Sequence, residues 1–215
     1  MTRPQLSRLA TPLLVSLACA LLSAVFFAGL AGEMLEGGTR QFDTVVRQFV
    51  HAHSSGALTV VMQFFSILGS GLFVAIAASS ACVVLLVAGE RRKALVLAIT
   101  VAGGSLLMLA LKTGFHRQRP EPFFDTRLPA SYSFPSGHAL LSFCLWGAGA
   151  VLLSSSQEKR WIRIAIWTFA SALVVTIGYS RIYLGVHYPS DVLAGYLAAL
   201  VWVLGVGIAC RKTPE

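Results

Sequence analysis

Long apolar runs recur along the chain and are separated by short polar segments. Six of these runs approach 20 residues, about the length that an α-helix needs to cross a hydrocarbon core of roughly 30 Å. They are Leu9 to Ala31, Ser70 to Ala88, Ala94 to Leu111, Gly137 to Leu153, Ile162 to Tyr179, and Pro189 to Ala209. The pattern predicts an all-α, polytopic membrane protein with six transmembrane helices.

The first run admits two interpretations. Arg3 and Arg8 precede it, as basic residues precede the apolar core of a secretory signal peptide. The run is longer than a usual signal core, however, and residues 28–32 form only a weak cleavage site. We therefore expect an uncleaved first span. Because no linker, repeat or low-complexity tract divides the chain, we expect one six-span domain over residues 1–215.

A mixed segment, residues 33–68, follows the first run. Its apolar residues recur at helical spacing with polar residues between them: Phe42, Val45, Val46, Phe49 and Val50 alternate with Asp43, Arg47 and Gln48. This spacing predicts an amphipathic helix on the membrane surface. A second surface helix is expected from Ala57 to Leu68, separated from the next span by Gly69-Ser70-Gly71.

Composition agrees with a membrane protein, because 56% of the 215 residues are hydrophobic and only 12% are charged. The net charge of +8 could indicate a nucleic-acid partner, but the basic residues form short clusters between apolar runs rather than one patch. We therefore expect the lipid bilayer as a partner and no nucleic acid. The cysteines lack paired or metal-ligand spacing and are expected to be free, small and buried: Cys19, Cys82, Cys144 and Cys210.

The distribution of lysine and arginine predicts the orientation of the spans. One side of the membrane would carry ten of the 17, and the other side seven together with six of the nine acids. The side richer in cations is expected to be cytoplasmic. Both termini of a plasma (inner) membrane protein would then be cytoplasmic, and segments 112–135 and 180–191 would face outward.

The segment from Ser180 to Asp191 carries an arginine, a histidine and a carboxylate between two apolar runs. If the last helix begins near His187, Asp191 lies four residues on and on the same face. A carboxylate that fixes one imidazole nitrogen leaves the other as a lone pair, as in a nucleophile or a base. Arg181 adds a planar cation suited to phosphate oxygens. Taken alone, these residues are explained equally well by a polar loop at a membrane surface.

Two further polar segments would lie on the same face of the membrane. Lys112 and Arg119, seven positions apart, could hold one phosphate or could be interfacial anchors. Ser136, Gly137 and His138 open the fourth run, where free amide groups and the helix dipole favour an anion. Ser136 adds a hydroxyl donor, and His138 is placed to give a proton to a leaving oxygen. Alone, this segment is also explained by an N-cap serine followed by a polar rim residue.

Together the three segments read K-x6-R-P, P-S-G-H and S-R-x5-H-x3-D, in this order. This set resembles the type 2 phosphatidic acid phosphatase superfamily, whose fold is shared by membrane lipid phosphatases, bacterial nonspecific acid phosphatases and vanadium haloperoxidases. Eleven residues match without departure: Lys112, Arg119, Pro120, Pro135, Ser136, Gly137, His138, Ser180, Arg181, His187 and Asp191. The six apolar runs are similar to those of the membrane branch.

The resemblance implies a mechanism. His187 would attack phosphorus to form a phosphohistidine, Asp191 would hold its tautomer, and His138 would protonate the leaving oxygen. The phosphoryl oxygens would be bound by five groups: Lys112, Arg119, Ser136, the Gly137 backbone and Arg181. No metal or other cofactor is implied, because the cations supply the charge that magnesium supplies elsewhere.

A phosphate site at the outer surface, reached between apolar helices, suits a lipid whose tail stays in the bilayer. In a bacterium the candidates are undecaprenyl diphosphate, phosphatidylglycerol phosphate and phosphatidic acid. The loop 121–134 would shape the headgroup pocket, with Arg127 either a contact for a second phosphate or a solvated loop charge. The alternatives are a lipid phosphotransferase with the same phosphohistidine and a non-catalytic lipid-binding or transport protein, against which the complete set of His138, His187 and Asp191 speaks.

Overall fold

The computed structural model describes residues 3–124 and 128–210, and these residues form helices joined by turns and loops. The helices are α1 (Arg3–Glu36), α2 (Arg40–Ala52), α3 (Gly56–Leu68), α4 (Gly71–Val87), α5 (Arg91–Phe115), α6 (Gly137–Ser155), α7 (Arg160–Tyr183) and α8 (Pro189–Ala209). The predicted all-α membrane fold is confirmed. The bounds of α8 coincide with the predicted run, whereas α5 and α7 extend past theirs into polar residues at both ends.

Five helices are each long and apolar enough to cross a membrane, namely α1 from Thr11 onward, α5, α6, α7 and α8. The remaining predicted span, α4, meets the same test only together with α3, to which it is joined at a bend of 50°. The bend falls at Gly69-Ser70-Gly71, and Ser70 caps α4 by accepting a hydrogen bond from the Phe73 N–H at 3.2 Å. The predicted second surface helix is therefore one half of a bent pair.

The central helix of the bundle is α6. In the most apolar stretch of α6, 56% of the residues are buried inside the protein, compared with 6% in the most apolar stretch of α1. α6 packs against α5, α7 and α8, whereas α1 packs mainly on α8 at the periphery. Its side chains Leu140 and Cys144 join Leu97 of α5 and Ala199 of α8 in the main core. The most enclosed helix therefore carries the P-S-G-H motif at its start.

The helix α2 is amphipathic, as predicted, but two of its charged residues, Asp43 and Arg47, do not lie on a solvated face. Asp43 is 1% exposed and Arg47 is half-buried, whereas Phe42, Val45 and Phe49 are exposed. An exposed apolar face of this kind suits an interfacial position at a membrane. The face of α2 that carries Asp43, Arg47 and Val50 consequently lies toward the helix bundle.

The four cysteines are free, as predicted, but only Cys144 is buried. Cys82 and Cys210 are half-buried, and Cys19 is exposed on the outer surface of α1. The prediction that all four are buried is wrong. An apolar run in a membrane protein can face lipid rather than other helices, so hydropathy does not distinguish the two environments.

A close contact brings the start of α8 next to the start of α6. A Cβ atom on Gly195 would lie 2.7 Å from the Ser136 carbonyl oxygen and 2.9 Å from the Ala139 Cβ. Both distances are shorter than real Cβ contacts, so α8 approaches α6 this closely only because residue 195 lacks a side chain. The contact places the Ser136 and Asp191 motifs side by side.

We expect Gly195→Ala to lower the thermal stability of the protein in detergent, because the new methyl group forces two packed backbones apart at a cost of about 1–3 kcal/mol. Gly205→Ala is the matched control on the same helix, since no atom lies within 4 Å of its added Cβ. The control should be neutral or stabilising because alanine favours helix. Equal shifts of the unfolding midpoint for the two variants would contradict the packing argument.

Candidate active site

The site begins with a histidine and a carboxylate at the start of α8. The last helix, α8, begins at Pro189 with Tyr188 as its N-cap, so His187 lies just before the helix and Asp191 lies in its first turn. Asp191 reaches back toward His187 from this turn. Its Oδ2 lies 3.2 Å from His187 Nδ1 and accepts a hydrogen bond from the Tyr188 N–H at 2.9 Å. The predicted pair is therefore present.

The surroundings of His187 define its protonation. Because Asp191 accepts at Nδ1 and Arg119 Nη1 donates to Nε2 at 3.0 Å, the proton lies on Nδ1 and the lone pair on Nε2. Burial lowers the pKa of His187 to about 3, although the Asp191 carboxylate opposes the shift. The imidazole is therefore neutral near pH 7, and its Nε2 lone pair accepts a hydrogen bond from the Arg119 guanidinium.

Three cations lie around His138 and His187, and their hydrogen-bond partners among the described residues are uncharged. Lys112 Nζ donates to the carbonyls of Tyr132 and Ser133. Arg119 donates to three backbone carbonyls, Ser131 O at 2.8 Å, Val186 O at 3.0 Å and Tyr132 O at 3.3 Å. Lys112 and Arg181 are each only 6% exposed.

Arg181 donates from Nη1 to the Ser66 hydroxyl, and its buried Nε has no partner among the described residues. Burial lowers the pKa of Arg119, but a guanidinium stays charged at neutral pH. These three buried cations form no direct ion pair with a described carboxylate, although Asp191 is near enough to act on Lys112 and Arg119. Such a group is suited to an anion.

The start of α6 completes the cluster. Ser136 is the N-cap residue and accepts from the Ala139 N–H at 3.5 Å, which leaves its own hydroxyl proton available. His138 is half-buried, has no hydrogen-bond partner among the described residues, and is close enough to Lys112, Arg119, Arg181 and His187 to interact electrostatically with all four. The first amides of α6 point toward this region, as at any helix start.

Gly137 is required by packing. A Cβ atom on Gly137 would lie 2.5 Å from Met108 Sδ and 3.7 Å from Lys112 Cε. The absence of a side chain therefore lets α5 bring Lys112 beside the start of α6. A glycine at this position also allows an anion to approach the backbone closely.

The structure brings eight of the nine sequence-predicted site residues together: His138, His187, Asp191, Lys112, Arg119, Ser136, Gly137 and Arg181. Arg127 lies outside the described residues. No group of three or more His, Cys, Asp or Glu side chains that could hold a metal occurs in residues 3–124 and 128–210. The two carboxylates nearest the site, Asp43 and Asp191, are both ion-paired with Arg117.

Sequence reasoning missed four contributors. Ser133 donates to Asp191 Oδ2, and Ser66 binds Arg181; isolated serines carry no signal of such a role. Arg117 stands in a basic turn and Asp43 in an amphipathic pattern, and neither setting indicates a role in the site. Asp43 and Arg47 lie four residues apart on one face of α2, but this spacing is equally typical of a solvated face.

Apolar helices around two histidines, a carboxylate and unbalanced cations define a membrane protein with a buried anion site. The profile of the PAP2 superfamily matches residues 93–212, more than half of the chain, and the chain belongs to this family. The resemblance inferred from the motifs is thereby confirmed.

Two curated proteins illustrate the similarity. Phosphatidylglycerophosphatase B of Bacillus subtilis is 31% identical over 68% of this chain and 66% of its own length. Undecaprenyl-diphosphatase of Sulfolobus acidocaldarius is 33% identical over 55% of this chain and 52% of its own length. The chain thus matches about half to two thirds of the length of these relatives.

A similar fold has been solved by crystallography. The transmembrane PAP2-type phosphatidylglycerolphosphate phosphatase of Bacillus subtilis superposes with a TM-score of 0.78 over 87% of this chain and 94% of that one, at 24% identity. This likeness supports the arrangement of the helices.

We expect inorganic phosphate to raise the thermal midpoint of the purified protein, because an anion that binds only the folded state stabilises it by about 2.7 kcal/mol at 100 times its Kd. Arg181→Gln should weaken phosphate binding about 10- to 100-fold through the loss of a charged hydrogen bond of about 1.5–3 kcal/mol. Arg163→Gln, at the exposed opposite end of α7, is the control and should keep the full shift. A phosphate shift unchanged in Arg181→Gln would contradict the assignment.

Proposed function

We propose that this protein is a membrane lipid phosphatase that needs no metal ion and forms a phosphohistidine on His187. The observation that carries the proposal is the neutral His187, whose Nε2 lone pair faces a group of cations without counter-ions. Such a site attracts a phosphoryl group and presents a nucleophile to it. We treat residues 1–215 as one domain, because α2, α3, α5, α6, α7 and α8 all contribute to the site.

The first step would form the bond between His187 Nε2 and phosphorus while the bond from phosphorus to the leaving oxygen breaks. Arg119 now donates to Nε2, so this hydrogen bond has to pass to a phosphoryl oxygen before Nε2 can attack. Lys112 and Arg181 would stabilise the charge on the other oxygens. His138 would give its proton to the leaving oxygen.

In the second step His138, now neutral, would take a proton from water while the water oxygen attacks phosphorus. The bond to Nε2 breaks, and phosphate leaves with His187 restored. Asp191 would hold the Nδ1 proton throughout and would stabilise the positive charge that develops on the imidazole. Each proton removed from water or given to the leaving group therefore passes through His138.

The substrate is proposed to be a lipid phosphate, because apolar helices enclose the site and because both curated relatives are named for lipid substrates. Those names favour phosphatidylglycerol phosphate and undecaprenyl diphosphate, with phosphatidic acid as the third candidate. The headgroup would enter between segments 112–124 and 180–188, while the tail remains among the lipids.

The test is release of phosphate from these three lipids by purified protein in detergent with excess EDTA. Wild-type protein should turn over, and denaturing it during turnover should trap an acid-labile phosphoenzyme. His187→Ala should abolish both signals. His53→Ala, an exposed histidine of the α2 end, should change neither.

His138→Ala separates the two histidines. Loss of a general acid typically costs about 10² to 10⁴ in rate, so this variant should keep weak activity on a diphosphate and lose more on an alkyl monoester. Activity in His187→Ala together with none in His138→Ala would reverse the two roles. A strict requirement for magnesium would contradict the mechanism.

We further propose that the site faces outward from the plasma membrane and that both termini are cytoplasmic, following the lysine and arginine distribution. In a cysteine-free background, Ala130→Cys, in an exposed stretch of the active-site loop, should react with an impermeant maleimide in intact cells. Glu158→Cys, exposed between α6 and α7, should react only after permeabilisation. The opposite labelling pattern would place the site in the cytoplasm.

A further inference from the structure

Arg117 is the one guanidinium of the site that binds carboxylates instead of neutral groups. Its Nη1 lies 2.6 Å from Asp191 Oδ1 and 2.8 Å from Ser190 Oγ, and its Nη2 lies 2.8 Å from Asp43 Oδ2. The guanidinium carbon also stacks 4.1 Å from the centre of the Tyr188 ring. Its charge is thus balanced twice and is not free for phosphate.

Asp43 is also buried, and both of its carboxylate oxygens accept hydrogen bonds. It is 1% exposed, and its Oδ1 accepts from the Ser190 N–H at 2.9 Å, while its Oδ2 accepts from Ser190 Oγ at 2.6 Å. The Ser190 amide belongs to the first turn of α8, where a negative charge is favoured by the helix dipole. Asp43 therefore docks α2 onto the turn that carries Asp191.

The two oxygens of Asp191 have separate partners. Oδ1 faces Arg117, and Oδ2 faces His187 Nδ1 and the Ser133 hydroxyl. Because a carboxylate is planar, fixing Oδ1 on Arg117 also fixes the direction in which Oδ2 meets the imidazole. A continuous chain of contacts thus runs from Asp43 through Arg117 and Asp191 to His187.

The shared arginine matters for the strength of these contacts. Because Arg117 binds two carboxylates, it neutralises only part of the charge of Asp191. Asp191 therefore stays a strong acceptor for the His187 proton. Without Asp43, the whole charge of Arg117 would act on Asp191 alone in a buried, poorly screened environment. Asp191 would then be a weaker partner for the imidazole.

We propose that Asp43 and Arg117 are positioning residues that hold His187 in its Nδ1-protonated tautomer through Asp191, so that α2 is part of the working site. This inference deepens the proposed phosphatase function and rests on it for its catalytic consequence. A purely structural role, in which the network only fastens α2 to the bundle, is the alternative outcome.

The first test is the tautomer itself, which can be observed without turnover. Nitrogen NMR of protein labelled at its five histidines, in micelles and with His187 assigned from His187→Gln, should show Nδ1 protonated in the wild type. Asp43→Asn keeps the shape of the side chain and removes its charge, and it should shift or broaden the His187 signals. Glu36→Gln, an exposed carboxylate at the end of α1, is the charge-matched control and should leave them unchanged.

The second test uses rates on a lipid phosphate. Asp43→Asn should lower kcat about 10- to 100-fold, a range typical for residues that orient a reacting ligand. KM should change little, because Lys112, Arg119 and Arg181 remain. Asp43 is proposed to act through Asp191. Adding Asp43→Asn to the Asp191→Asn variant should therefore lower kcat much less than Asp43→Asn lowers it in the wild-type protein.

Arg117→Lys supplies a second variant if Asp43→Asn does not fold, since one ammonium cannot bridge two carboxylates in the planar fashion of arginine. One result would overturn the proposal: a folded variant with wild-type His187 signals and wild-type kcat but a lower thermal midpoint. The network would then only fasten α2 to the bundle. If wild-type protein hydrolyses no lipid phosphate, the phosphatase function fails, and the NMR comparison still decides the positioning role.

Discussion

The structure depends above all on the buried carboxylate of Asp191. It accepts hydrogen bonds or ion pairs from His187, Ser133, the Tyr188 amide and Arg117, and so connects three segments that are distant in sequence. A fully buried charge with fewer partners would cost several kcal/mol. The start of α8 additionally supplies favourable dipole charge. The same carboxylate therefore closes the tertiary structure at the site and sets the orientation of the imidazole.

Two kinds of buried cation serve two purposes in this site. Arg117 is neutralised by acidic side chains and behaves as an internal brace. Lys112, Arg119 and Arg181 are held by carbonyls, two hydroxyls and the His187 imidazole, which are the partners expected if their charge is to serve an anion. Their mutual repulsion works against folding, which is a common compromise between stability and activity. Arg117 thus differs from Arg119 and Arg181 because its partners are carboxylates.

The spans, the family and most of the cluster could be predicted from the sequence because they depend on local signals. Apolar run length determines where helices cross a membrane, and Pro189 marks the start of α8. The partnership of Asp43 and Arg117, 74 positions apart, could not be predicted because no local pattern links them. Cys19 shows the related difficulty that lipid and protein interior favour the same residues.

Hydropathy also could not show that α2 turns Asp43 and Arg47 inward. The usual interpretation of an amphipathic helix places charges in water, whereas here tertiary contacts with Ser190 and Arg117 replace water around Asp43. Gly69-Ser70-Gly71 indicates the bend between α3 and α4 in the sequence, but the way in which the two helices pack against the rest of the bundle depends on tertiary contacts. Ser66, near the end of α3, reaches Arg181 because of that packing.

The location of Asp43 has a consequence for how small a working fragment can be. Residues 93–212, the part that matches the family profile, contain all eleven motif residues but neither α2 nor its carboxylate. A chain trimmed to this segment would leave Arg117 with a single counter-ion and would uncover the first turn of α8. If Asp43 positions Asp191 as proposed, the smallest active fragment is larger than the motifs suggest and begins before residue 43.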